Sequence, residues 1–164
     1  PEKGIDLAVR VAARAGVPLQ LSGGRAAGRF WDEQIKPFVG HRGTTRYVGM
    51  LPSRRMGAFY GSGRALLYPL RWEEPFGLVM VEAMACGTPV IAFPHGSVPE
   101  LVRHGVTGYV VKTLPEMVRA VKRINAIDRR ACRRWVEKKF TVEKMVEGYE
   151  EAFYNILGQE KRKA

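Results

Sequence analysis

Apolar positions along the chain switch repeatedly between a helical and a strand period. Ile5, Leu7, Ala8, Val11, Ala12 and Ala15 recur at helical spacing, and Gly16 followed by Pro18 ends that helix. Residues 19–21 form a short apolar run that stops at Ser22-Gly23-Gly24, which predicts a buried strand entering a glycine turn. The spacing predicts a second helix over 30–39, interrupted at Pro37, and a strand over 45–48 closed by Gly49. Met56, Phe59 and Tyr60 predict a short helix, and 65–68 a strand stopped by Pro69. A helix over 76–85 ends at Gly87, with Pro89 just beyond it. A strand over 90–93, a short helix over 98–103 and a strand over 108–111 follow. Helices over 115–125, 128–138 and 142–157 complete the pattern. Short apolar strands alternating with helices require parallel pairing with helices on both faces. The fold class is α/β, a doubly wound parallel sheet, and 164 residues suit one domain over 1–164.

Composition narrows the reading. A hydrophobic content of 46% excludes a long disordered chain. No apolar run approaches the roughly 20 residues a spanning helix needs. Cys86 and Cys132 are too few for a disulfide framework, so a reduced, cytoplasmic protein is expected. Neither cysteine has metal-site spacing, and His41, His95 and His104 are too scattered to form a ligand set, so no metal is expected. The opening Pro1-Glu2-Lys3-Gly4 suggests a fragment of something longer.

The net charge of +11 favours phosphate-bearing partners. Much of it lies in Arg129-Arg130, Arg133-Arg134, Lys138-Lys139 and a basic tail over 158–164. Solvated helix faces account for such clusters equally well. Nucleic acid is not an expected partner, because no aromatic platform and no DNA-reading motif accompany the charge.

In doubly wound sheets ligands bind beyond the carboxyl ends of the strands, where glycine turns feed helix N-termini. Three turns fall there: Ser22-Gly23-Gly24, Glu73-Glu74-Pro75-Phe76-Gly77 and Pro94-His95-Gly96-Ser97. The first misplaces its glycines for a dinucleotide fingerprint; it fits a phosphate cradle and a plain tight turn alike. In the second, eight positions separate Glu74 from Glu82, about 80° apart on a continuous helix. With Glu74 in a loop and Glu82 inside the helix, both can instead face one ligand from different heights. The free amides of Phe76, Gly77 and Leu78 and the helix dipole favour an anion or an electron-rich oxygen. Carboxylates accept hydrogen bonds from sugar hydroxyls. The pattern also fits a helix cap at Glu74 and a solvated Glu82.

The run Glu74-Pro-Phe-Gly-Leu-Val-Met-Val-Glu82-Ala-Met-Ala-Cys-Gly-Thr-Pro-Val-Ile-Ala92 resembles the signature of the family 4 glycosyltransferases. Pro1-Glu2-Lys3-Gly4, Tyr47-Val48-Gly49, Gly96-Ser97-Val98-Pro99-Glu100 and Gly105-Val106-Thr107-Gly108 follow in that family's order. These are retaining enzymes of the GT-B fold, two Rossmann-like domains facing across a cleft. The resemblance implies that the chain is the C-terminal, donor-binding half. It would serve transfer of a hexosyl group from a UDP-, GDP- or ADP-linked sugar, without a metal or other cofactor. A non-catalytic nucleotide-sugar binding module of the same fold is the alternative.

By the same resemblance, Glu74 holds hydroxyls of the transferred sugar and Glu82 holds the ribose. Lys3 neutralises the diphosphate, and the Phe76, Gly77 and Leu78 amides contact sugar and distal phosphate. Gly4, Gly23 and Gly24 line the sugar and diphosphate path, and Val48, Met50 and Leu51 the base.

Two departures stand out. The Gly-Arg turn that usually precedes this lysine would fall ahead of Pro1, together with its strand. Leu70-Arg71-Trp72 replaces a small serine before the glutamate loop, and Trp72 is expected to pack on the helix behind it. The acceptor domain is expected to be missing, leaving this fragment inactive alone and its acceptor open between glycolipid, polysaccharide and small molecule. Val142, Met145, Val146, Tyr149, Phe153, Ile156 and Leu157 make one apolar stripe on the last helix, over 141–157. That stripe either packs on its own domain or crosses to the missing one. The basic faces before it would suit peripheral contact with a membrane.

Overall fold

The computed structural model describes residues 2–25, 28–40 and 45–158. His41 and all of the basic tail after Gly158 lie outside the described residues. Among the described residues, five short parallel strands form two groups. Strand β1 (Leu19–Leu21) pairs with β2 (Thr45–Tyr47), Leu19 opposite Thr45 and Leu21 opposite Tyr47. Strands β3 (Leu66–Tyr68), β4 (Val90–Ala92) and β5 (Gly108–Val110) pair in that order, Leu66 opposite Val90 and Val90 opposite Gly108. The longer helices are α1 (Ile5–Ala15), α2 (Ser53–Ser62), α3 (Leu78–Ala85), α5 (Leu114–Arg123), α6 (Arg129–Lys139) and α7 (Val142–Ile156). A single turn, α4 (Val98–Leu101), links β4 to β5. Helix α1 packs on α5, and α3 packs on α2 and α6.

Strand β4 has a neighbour on each edge, and all three of its side chains are buried. That explains a run with no polar alternation, as parallel strands covered on both faces require. Met80 and Met84 of α3, Leu70, Leu101 and Met117 are fully buried around it. Each such side chain contributes about 1.5–3 kcal/mol of hydrophobic stabilisation. The β1–β2 pair is less enclosed, with Leu19 and Leu21 only half-buried. Between the two groups lies a cavity of about 560 Å³, lined by every residue of β1 and of β3. The single predicted sheet is thus divided, and no described residue pairs with the facing edges.

One predicted helix breaks up. Over 30–39 the chain forms a π-helical turn, Trp31–Ile35, and then a 3-10 turn, Lys36–Phe38. Pro37 has no N–H to continue an α-helical ladder, and the tighter turn absorbs the break. Helix α7 forms as expected, but no residue in it is buried. Val142, Met145, Tyr149, Phe153 and Ile156 are all more than half exposed, so the stripe does not pack on its own domain.

At the start of α1, Asp6 is buried and bound by both terminal nitrogens of Arg71, Nη1 to Oδ1 at 2.7 Å and Nη2 to Oδ2 at 2.6 Å. Burial pushes the Asp6 carboxyl up, but the Arg71 hydrogen bonds and charge outweigh it and hold it below the ordinary aspartate value. A depressed carboxyl contributes stability above its unfolded pKa and loses it as pH falls through the folded one. Thermal melts from about pH 6 to about pH 2 should therefore show the advantage over Asp6→Asn shrinking as the carboxyl protonates. An advantage unchanged at the acid end would remove Asp6 as its source.

Candidate active site

The Glu74 loop leaves β3 at Pro69 and enters α3 at Gly77. Gly77 takes a left-handed conformation (φ 79°), so α3 begins at Leu78, two residues later than its spacing predicts. A Cβ on Gly77 would overlap the Met80 methyl and close to 3.2 Å on Glu74 Cγ. No side chain caps α3, so the cap reading of Glu74 does not hold. The turn after β4 fits against this loop. Ser97 N–H donates to the Glu74 carbonyl at 2.9 Å, and Ser97 Oγ donates to the Phe76 carbonyl at 2.6 Å. Glu73 accepts from the Gly96 amide, and its Oε1 lies 3.1 Å from His95 Nδ1. The second and third turns are one interlocked unit.

Glu74 itself points into a cluster. Lys3 Nζ donates to Glu74 Oε2 at 2.8 Å, and the Tyr68 hydroxyl donates to the same oxygen at 2.7 Å. Lys3 also reaches the Tyr68 oxygen at 3.4 Å, and its ammonium lies 4.9 Å from the centre of the Trp72 ring. Trp72 thus faces Lys3 across the loop, within reach of a cation–π attraction. Burial pushes the Glu74 carboxyl up, but bonds from Lys3 and Tyr68, the Lys3 charge and a bond from Trp72 hold it below the ordinary glutamate value. The same environment, burial first and then the Glu74 carboxylate, raises the Tyr68 phenol. At neutral pH the group is a carboxylate held between an ammonium and a protonated phenol. Lys3, Tyr68, Glu74, Phe76, Gly77 and Leu78 line one cleft of about 350 Å³, at the positive end of α3.

Glu82 lies one turn further along α3 and is exposed, with Oε2 accepting from the Tyr60 hydroxyl at 2.9 Å. Gly23 and Gly24 lie elsewhere, beyond the end of β1, beside the segment that follows β2. Gly23 N–H donates to the Gly49 carbonyl at 3.1 Å, and Val48 N–H to the Leu21 carbonyl at 2.9 Å. Val48 and Leu51 are half-buried there and Met50 is exposed. Gly4 lines neither cavity; it starts α1, its carbonyl accepting from the Leu7 and Ala8 amides. The structure therefore groups Lys3 with Glu74 and the 76–78 segment, and groups Gly23 with Val48. Sequence reasoning placed Ser97 only within a candidate turn, and missed Tyr60 and Tyr68 as site residues. For Tyr68 there was a signal, a polar tip closing an otherwise aliphatic strand just before the loop. Cys132, buried and pushed up to about 11 mainly by that burial, is no nucleophile. Among the described residues, no three His, Cys, Asp or Glu side chains group as metal ligands.

The family model for glycosyl transferases group 1 matches residues 1–140. The chain belongs to this family. N-acetyl-alpha-D-glucosaminyl L-malate synthase of Bacillus anthracis is 35% identical over 105 residues, covering 58% of this chain and 27% of that protein. D-inositol 3-phosphate glycosyltransferase of Mycobacterium leprae is 37% identical over 115 residues, covering 68% of this chain and 27% of its own length. Among solved structures, sucrose-phosphate synthase of Thermosynechococcus elongatus is 27% identical, with a TM-score of 0.75 over 96% of this chain and 43% of that one. HepE of Anabaena, solved with UDP-glucose, is 23% identical, with a TM-score of 0.73 over 94% of this chain and 46% of its own. The chain thus spans about a quarter of these curated relatives and under half of these solved ones. The shared fold of this group 1 domain is the Rossmann-like half of a GT-B structure, α/β with parallel strands and helices on both sides. No helix among the described residues is long and apolar enough to cross a membrane.

Proposed function

We propose that the domain is the C-terminal, donor-binding half of a family 4 retaining glycosyltransferase that takes a hexosyl group from a UDP-, GDP- or ADP-linked sugar. The observation that carries this reading is the Lys3–Tyr68–Glu74 cluster against the open end of α3. Without ligand, Lys3 and Glu74 satisfy each other. A nucleotide sugar separates their roles, because its diphosphate attracts the ammonium and its sugar hydroxyls donate to the carboxylate. Tyr68 stays bonded to Glu74 Oε2 through that exchange. As the glycosidic bond breaks, negative charge grows on the diphosphate, and Lys3 and the Phe76, Gly77 and Leu78 amides oppose it. Glu82 takes the ribose, the Gly23–Gly24 turn flanks the diphosphate, and Val48, Met50 and Leu51 bound the base. Gly4 serves by starting α1 directly after Lys3. Transfer belongs to the longer protein, in which an acceptor domain faces this cleft.

Calorimetry on the full-length chain with UDP, GDP and ADP, and with their glucose and mannose conjugates, tests the reading. One nucleotide should bind preferentially, and Glu82→Ala should weaken it by about tenfold or more, the loss of hydrogen bonds to a charged acceptor. Binding of none, or equal binding by Glu82→Ala, would reject the donor site.

A further inference from the structure

We propose that Tyr60 is the positioning residue for Glu82, and that Thr88 and Arg129 brace Tyr60 from behind; the inference rests on the donor-site reading above. Glu82 stands exposed on α3 with several freely rotating side-chain bonds, and fixing such a side chain costs rotamer entropy. The Tyr60 hydroxyl, 2.9 Å from Glu82 Oε2, fixes it before any ligand arrives. Tyr60 is 7% exposed, at the end of α2. Burial and then the Glu82 carboxylate raise its phenol, so it keeps its proton and stays the donor.

The brace explains an otherwise misplaced charge. Arg129 is the first residue of α6, where the helix dipole repels a cation. Its guanidinium turns instead to the carbonyl end of α2, where a cation is favoured, with Nη1 donating to the Gly63 carbonyl at 2.6 Å and Nη2 to the Gly61 carbonyl at 2.8 Å. Nη2 also donates to Thr88 Oγ1 at 3.1 Å. Buried Thr88 in turn donates from Oγ1 to the Tyr60 carbonyl at 2.6 Å, and the Gly63 amide donates to that same carbonyl at 2.9 Å. One hydrogen-bonded series thus runs from α6 through Thr88 and the Tyr60 backbone to the Tyr60 ring and Glu82. Since Tyr60 acts only through Glu82, its loss falls on the ligand hydroxyls that Glu82 holds and spares the rest of the nucleotide.

The test titrates UDP, GDP and ADP into the full-length chain, and then the 2′,3′-dideoxy form of whichever binds most tightly. The ratio of the two dissociation constants reads the ribose-hydroxyl contacts. It should be about tenfold or more in the natural chain and fall below about threefold in Tyr60→Phe, with the dideoxy constant unchanged. A residue that merely held the fold together would shift both constants alike. Thr88→Val should lower the ratio part-way, and Thr88→Ser, keeping the hydroxyl, should restore it. These two variants carry the test if Tyr60→Phe does not fold. If Glu82→Gln loses the ratio while Tyr60→Phe or Thr88→Val keeps it, the positioning role is overturned and the donor site stands. If Glu82→Gln keeps the ratio, or no nucleotide binds, the donor-site reading falls and takes this inference with it.

Discussion

Glu74→Gln is expected to lower kcat/KM for the proposed sugar transfer by the full-length chain by about 10²–10³-fold, the scale of losing one preorganised charged group at the reacting centre. The substitution keeps the size of the side chain and an oxygen for Tyr68 to donate to. It removes the charge that holds Lys3 and that makes the carboxylate a strong acceptor for sugar hydroxyls. The loss should persist at saturating donor, because the group is asked to hold the sugar while charge moves onto the diphosphate. Release of the nucleoside diphosphate measures it directly. A variant within about threefold of the natural enzyme would show that Glu74 does not face the transferred sugar.

Gly96→Ala should disrupt the same site from below. Gly96 is left-handed (φ 54°), and a Cβ there would overlap the backbone nitrogen and oxygen of Glu74 and lie 2.9 Å from the Glu73 carbonyl carbon. The overlap is with backbone, so relief requires moving the glutamate loop. A stability loss of about 1–3 kcal/mol is expected in urea unfolding, together with loss of nucleotide-sugar binding. Gly105→Ala provides the control. Its φ is similarly positive, at 77°, but nothing lies within 4 Å of its added carbon. It should show the left-handed strain alone, about 1 kcal/mol, and leave binding intact. Equal binding by the two variants would detach the His95–Ser97 turn from the site.

Hydrophobic spacing located every described strand within about a residue, because a short apolar run bounded by glycine or proline leaves little freedom in where it starts. It placed α1 and α6 nearly to the residue for a similar reason, Gly16 and Asp128 marking one end of each. It could not see that Gly77 would turn left-handed and delay α3, nor that Pro37 would divide a helical pattern into π and 3-10 turns. At the site, Lys3 and Glu74 lie 71 positions apart, and their pairing was legible only through the family's ordered motifs. Most of the supports of Glu74 and Glu82 were not legible. Tyr60, Trp72 and Arg129 each act across elements whose packing no local pattern encodes. A tyrosine that donates to a carboxylate reads, in sequence, like any tyrosine filling a core.

The divided sheet spreads the proposed donor contacts over two groups of strands. Strands β3–β5 are locked among fully buried side chains of α3, α5 and α6, whereas β1 and β2 hold each other through three residues apiece and a half-buried face. The cavity lies between them, and among the described residues β1 and β3 share no strand hydrogen bond. The proposed base and diphosphate contacts at Gly23 and Val48 ride on the less enclosed pair, and the sugar contacts at Glu74 on the more deeply buried group. Nucleotide binding that spans both would therefore do more than occupy the cleft; it would bridge two strand groups that share no ladder.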